Sequence, residues 1–145
     1  MARPAAKPTK NGRIEPQMLM QAARRAYQTA HAPYSEFYVG AAVLSDSGKV
    51  YTGCNVENAS YGLTICAERT AITKAVSEEG TDMRIRAVAV ANAQGVPCSP
   101  CGACRQFIYE FGPHALILFE FDGKLQQKPI TDLLPYGFRF TRKGE

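Results

Sequence analysis

The sequence predicts an α/β fold: a three-layer α-β-α sandwich on a single five-stranded mixed sheet. Three observations lead there. Apolar residues recur at helical spacing in three segments. Five short strand-like runs are interleaved with those segments, the order that covers a mixed sheet with helices on its faces. The chain of 145 residues suits one domain, large enough to bury ~68–70% of its extended surface.

In chain order, "IEPQMLMQAARRAYQTAH" has Pro16 placed for a first helical turn, and Leu19, Ala22, Ala23, Ala26, Tyr27 and Ala30 then fall on one face. Pro33 is expected to end that helix. "FYVGAAVL" and "KVYTGCNV" flank the turn-rich "SDSG" and read as a hairpin. "CAERTAITKAVSEEG" reads as a helix capped by Gly80. "RIRAVAVAN" is a strand. "PCGACRQFIYEFG" is a third helix, with Pro100 in its first turn and Gly112 after its end. "ALILFEF" and "DGKLQQKP" form a second hairpin around Asp122-Gly123. "TDLLPYGF" supplies a short helical turn from Thr131, broken by Pro135.

Charge is unevenly placed. Arg3, Lys7, Lys10 and Arg13 precede any acid, and the rest of the chain holds 13 bases against 13 acids. Residues 1–14 therefore read as a flexible basic tail, 15–140 as a single domain and 141–145 as a short C-terminal tail. A neutral body lacks the basic face expected of a nucleic-acid binder. No apolar run approaches the ~20 residues that span a bilayer, and the opening residues lack the apolar stretch of an export signal. A cytoplasmic protein with no membrane partner is expected. Five cysteines in a reducing compartment point to metal or catalysis rather than disulfides.

Cys98, Cys101 and Cys104 follow a three-residue step, and Cys66 and Glu68 open an earlier helix. Helix starts favour thiolates, because unpaired N–H groups and the positive end of the dipole meet there. Residues three apart on a helix share a face, so Cys101 and Cys104 converge. Two helix starts meeting across the sheet would supply three thiolates and leave a fourth zinc position open, the catalytic pattern. Cys98 precedes the helix and reads as a half-buried thiol. The alternative makes it a fourth ligand and the site structural. Glu68, two residues after Cys66, reaches the same place only at the mouth of the helix. Otherwise it is an acid favoured in a first turn.

"NVENASYGLTICAERTAI", "SPCGACRQ" and "LLPYGF" together closely resemble the small, homotetrameric, zinc-dependent cytidine deaminases with a three-cysteine metal site. The resemblance covers about residues 17–138. It implies a cytidine deaminase-like fold and one Zn²⁺ per subunit held by Cys66, Cys101 and Cys104. It further implies that Glu68 shuttles protons while zinc-activated hydroxide attacks C4 of cytidine or 2′-deoxycytidine, releasing ammonia in pyrimidine salvage. By position, Asn55 and Glu57 correspond to the ribose-binding pair, Phe37 to the aromatic residue against the pyrimidine, and Ala67 to the backbone facing the base. Arg69 corresponds to the residue that bonds the zinc thiolates. Tyr61 and Phe138 correspond to residues that approach the site of a neighbouring subunit.

Without the resemblance, Phe37 and Tyr61 read as core aromatics, and Asn55 and Glu57 could be turn residues on a solvated loop. His31 and His114 have no partner motif and read as structural or exposed. Two rivals stand beside the nucleoside enzyme: a deaminase of the same fold acting on a blasticidin-type antibiotic or a polynucleotide, and a non-catalytic module with all four cysteines closed around zinc.

Overall fold

The first helix is shorter than its periodicity predicts. In the computed structural model, which describes residues 13–145, α1 spans Pro16–Ala26 and tightens into a 3₁₀ turn over Tyr27–Thr29. Ala30 is already extended, so the helix ends well ahead of Pro33. The basic tail expected over 1–14 lies outside the described residues as far as residue 12. The expected hairpin forms as β1 (Val39–Ser45) and β2 (Val50–Cys54). Next come α2 (Ala67–Glu79), β3 (Ile85–Asn92), α3 (Gly102–Phe111), β4 (Leu116–Phe121), β5 (Lys124–Pro129) and α4 (Ile130–Leu133). Asp122 and Gly123, at φ 50° and 74°, both take the left-handed conformation that a two-residue hairpin turn demands.

The five strands form one mixed sheet in the order β2-β1-β3-β4-β5. Only β3 and β4 are parallel, joined through α3; the other neighbours are antiparallel. Each face has its own core. Leu19, Met20, Ala22 and Ala23 of α1 pack on Ala42, Leu44, Ala87, Ala89 and Leu118. On the opposite face, Ala71, Ile72 and Ala75 of α2, Ile108 of α3 and Ile130 of α4 pack on Val43, Val88, Val90, Ile117 and Phe119. This is the three-layer sandwich with a five-stranded mixed sheet that the sequence predicts. At Leu44/Ser45 the register against β3 shifts by one residue. The bulge moves Ile85 to the face opposite Ala87 although they are two apart.

The topology explains why chemistry collects at one end. β2 and β3 both run antiparallel to β1 and therefore point the same way. α2 follows β2 and α3 follows β3, so both helices begin at the carboxyl end of the sheet, where α/β folds place their ligands. α2 also lies very close to β2: a Cβ on Gly53 would sit 2.5 Å from the Ala71 nitrogen and 2.7 Å from the Ala67 carbonyl oxygen.

The chain after α4 runs back along α3. Gln106 donates to the Phe138 carbonyl at 3.0 Å. Arg142 donates to Glu110 and to the Thr81 carbonyl, and its guanidinium lies over the Phe111 ring. Among the described residues no helix is long and apolar enough to cross a membrane.

Candidate metal centre and active site

Cys66 is the N-cap of α2 and Cys101 the N-cap of α3. The second position corrects the expectation that Pro100 opens the third helix. Pro100 precedes the cap, and the first helical residue is Gly102. The correction improves the geometry, because both cap cysteines occupy equivalent places at the mouths of two helices. Cys104, fully buried one turn into α3, completes the group. The three Sγ atoms lie within 4.8 Å of one another, with Cys66 and Cys101 at 4.0 Å. Zn–S bonds of about 2.3 Å in a tetrahedron require S···S separations of roughly 3.8 Å. The donor set therefore fits one zinc ion.

The electrostatics agree with that fit. Arg69 Nη2 donates to Cys66 Sγ at 3.3 Å. The neighbouring Cys104 thiol and the Arg69 guanidinium together hold the Cys66 thiol far below its ordinary range, at about 5. Its bond to Cys66 and its burial push Cys104 the other way, so the pair keeps a proton that a metal would displace. Arg69 Nε is buried and has no hydrogen-bond partner among the described residues. Cys98 stands apart. It is half-buried against the core below α2 and α3, and burial, then the nearby Glu68 carboxyl, raise its thiol to about 11.

Ala67, fully buried, is the first residue of α2, and Glu68 beside it is 4% exposed. Burial raises the Glu68 carboxyl above its usual range. The i, i+2 spacing that separates two side chains on a helix does not apply here, because Cys66 is the cap rather than a helical residue. Its extended backbone, at ψ 153°, turns the thiol back over the helix mouth.

A second group of residues gathers beside the first. Asn55 is buried; its Oδ1 accepts from the Val39 amide at 2.8 Å and its Nδ2 donates to the Phe37 carbonyl at 2.7 Å. Phe37 is half-buried against the same core as α2. Glu57 is half-buried; its Oε1 accepts from the amides of Tyr34 (3.0 Å) and Ser35 (3.1 Å) and its Oε2 from the Ser35 hydroxyl (2.6 Å). The Ser35 hydroxyl and these amides keep the Glu57 carboxyl below the usual carboxylate range. The two groups are tied together by paired backbone bonds of 2.9 Å between Val56 and Ile65, the residue before Cys66. Tyr61 and Phe138 are not enclosed by this chain. Tyr61 is 76% exposed, edge-on to Tyr34, and Phe138 is 68% exposed.

Two supporting residues escape sequence reasoning. Ser35 lies inside "PYSEF", where only the aromatic draws attention. Arg105 follows Cys104 and donates to the Pro100 carbonyl (2.7 Å), the Leu133 carbonyl (2.8 Å) and Ser99 Oγ (3.0 Å). It thereby fastens the loop that carries Cys101 to the end of α4. The signal for Arg105 is an arginine directly after the second cysteine of a helix start, but its Leu133 acceptor lies 28 residues away in sequence.

Known proteins resemble this chain in sequence and fold. A cytidine deaminase from Sporosarcina psychrophila is 43% identical over 127 residues, 86% of this chain and 92% of the relative. A "probable cytidine deaminase" from Dictyostelium discoideum is 48% identical over 116 residues, 80% of this chain and 78% of the relative. The crystal structure of cytidine deaminase from Burkholderia pseudomallei superposes with a TM-score of 0.78 at 43% identity, covering 86% of this chain and 100% of that one. Residues 14–120 match the family described as the cytidine and deoxycytidylate deaminase zinc-binding region. With a sulfur triad sized for one zinc ion and a buried carboxyl beside it, the chain belongs to the cytidine and deoxycytidylate deaminase family of zinc-binding enzymes.

Proposed function

We propose that the protein hydrolyses cytidine and 2′-deoxycytidine to uridine and 2′-deoxyuridine with release of ammonia. Convergence of Cys66, Cys101 and Cys104 at two helix mouths, with buried Glu68 one turn away at most, carries this reading. Held by those three cysteines, zinc supplies a Lewis acid that acidifies the attacking water. The rest of the chemistry belongs to side chains of this chain. Glu68 takes the proton of the water and delivers it to N3 of the pyrimidine, which makes C4 electrophilic. After oxygen adds at C4, Glu68 takes the proton of the new C4 hydroxyl and passes it to the amine, and the C4–N bond breaks as C4=O forms, giving ammonia. A carboxyl whose affinity for protons is raised by burial suits both transfers. Phe37 packs against the base and the Ala67 backbone faces it. Arg69 draws charge from the sulfurs, countering the excess negative charge of three thiolates on a divalent ion.

The hydrogen-bond inventory supports the sugar assignment. A carboxylate has about four acceptor sites, and three at Glu57 are taken. Asn55 has one donor and one acceptor taken. What remains, about one acceptor at Glu57 and one acceptor and one donor at Asn55, can engage the sugar hydroxyls, and both ribose and deoxyribose are expected to be accepted. Free cytosine leaves these groups unpaired and is a poor substrate. A carboxylate there also disfavours phosphate.

Exposed Tyr61 and Phe138, with Leu63, Tyr136 and Phe140 also exposed, support a homotetramer in which Tyr61 and Phe138 reach a neighbour's site. A thiol-based metal centre supports a reducing, cytoplasmic setting, and the reaction itself would serve pyrimidine salvage. The test is ammonia release by the purified protein from cytidine, deoxycytidine, cytosine, deoxycytidine monophosphate and blasticidin S. Turnover of the two nucleosides alone is expected. Turnover of the antibiotic alone, or of nothing, overturns the reading.

A further inference from the structure

Ser35 spends all its donors on Glu57 and its hydroxyl oxygen on Phe37. Its amide donates to Glu57 Oε1 at 3.1 Å, its hydroxyl donates to Glu57 Oε2 at 2.6 Å, and the same hydroxyl accepts from the Phe37 amide at 3.0 Å. A serine accepting the amide two residues on is an ordinary turn device. That local bond does not explain why the hydroxyl proton points at a carboxylate 22 residues away. The residue between, Glu36, holds a φ of 56°, a conformation that non-glycine residues rarely adopt. It turns the chain so that Ser35 faces Glu57 while Phe37 returns to the core.

Glu57 is only partly buried, and a carboxylate within reach of water does not require a side-chain donor. Held by three donors, however, it loses its freedom to rotate, and the vacant lone pair of Oε2 points one way only. The Ser35 hydroxyl decides which lone pair that is. The bond from the Phe37 amide fixes the same hydroxyl from the other side, so the carboxylate and the aromatic ring are set relative to each other through one oxygen.

We propose that Ser35 is a positioning residue for substrate binding, aligning the Glu57 carboxylate with the Phe37 segment so that sugar and base are received together. The inference rests on the assignment of Glu57 to the sugar. It is tested on the full, zinc-loaded enzyme with Ser35→Ala, Ser35→Thr, Glu57→Ala and the double variant Ser35→Ala/Glu57→Ala. A hydrogen bond to a charged group is worth about 10–100-fold in binding. Ser35→Ala is expected to raise KM for cytidine, and the inhibition constant of uridine, by about tenfold with kcat within about twofold. Ser35→Thr, which keeps the hydroxyl, restores most of the loss. The double variant matches Glu57→Ala, because the serine acts through the carboxylate.

Wild-type KM in Ser35→Ala, failure of threonine to rescue, or additive losses in the double variant would each overturn the proposal. So would a loss of zinc or melting temperature large enough to account for the change, which makes Ser35 structural. The two assignments fail differently. If Glu57→Ala leaves KM unchanged, the sugar assignment falls and takes the proposal with it. If Glu57→Ala raises KM and Ser35→Ala does not, only the proposal falls.

Discussion

Arg69 Nη2 donates to Cys66 Sγ at 3.3 Å, from a guanidinium whose buried Nε has no partner among the described residues. The two residues are three apart, cap and first turn of one helix, so α2 itself holds the cation against the sulfur. Outer partners of metal ligands typically matter 10–100-fold in affinity or activity. Arg69→Ala is expected to lower turnover, zinc affinity or both by about that factor, measured by kcat and by competition with a chromogenic chelator. A variant with unaltered zinc affinity and unaltered kcat would dismiss the charge-withdrawing role.

Glu68 is buried at the first turn of α2 and is not one of the clustered sulfur donors. Glu68→Ala should keep a full complement of zinc while kcat falls by roughly 10²–10⁴-fold, the range for general acid–base catalysis. Metal analysis and steady-state kinetics on the same preparation decide it. Substantial residual deamination removes Glu68 from the mechanism.

Cys98 keeps the three-residue rhythm of its neighbours, but burial raises its thiol to about 11 and it packs against the core. Cys98→Ser is expected to retain zinc stoichiometry and turnover. Cys104→Ser is expected to lose the metal and the activity together. Loss of zinc in the Cys98 variant would mean a closed, four-sulfur site.

Gly53 allows β2 and α2 to touch. A Cβ there meets the Ala67 carbonyl oxygen and the Ala71 nitrogen well inside contact distance, and both are backbone atoms of the helix that carries Glu68. Overpacking of this kind costs about 1–3 kcal/mol. Gly53→Ala should lower the melting temperature and, by displacing the first turn of α2, lower kcat as well. Calorimetry and kinetics that both match wild type would show that α2 can move away at no cost.

Glu145 fastens the segment after α4. Its carboxylate accepts from the Arg142 amide and pairs with Arg139 (3.0 Å) and Arg84 (3.2 Å). Those partners, the Arg142 amide first, depress its pKa. A depressed carboxyl contributes its stability above the ordinary value of about 4.3 and loses it as pH falls through the lower, folded value. Hydrogen exchange over residues 139–145 should therefore show protection, corrected for intrinsic rate, that weakens below pH 4. Glu145→Gln should abolish that pH dependence. A segment equally protected at pH 3 and pH 6 would contradict the role.

Most of the fold is legible because it is written in local chemistry. The short apolar runs of β1, β3 and β4, the Asp122-Gly123 turn and the Gly80 stop each follow from residues close together in sequence. Element ends are less legible. α1 gives way to a 3₁₀ turn although apolar spacing continues to Ala30, and α3 starts two residues after Pro100, because capping geometry rather than periodicity sets where a helix begins. The bulge at Leu44/Ser45 is invisible in the alternating pattern of one strand, since it exists only in the register between two.

The same division holds at the site. Residue types and spacing by themselves determined that Cys66, Glu68, Cys101 and Cys104 belong to helix starts, and the resemblance of their motifs named a chemistry for them. Only the tertiary structure decided that the three sulfurs lie within 4.8 Å of one another and that Cys98 stands outside. It also gave Ser35 and Arg105 their partners 22 and 28 residues away. The reason is physical: a helix start is a local property, whereas a shared metal or hydrogen-bond network depends on strand direction. Here β2 and β3 point the same way, and that common direction brings two separate helix mouths to one place.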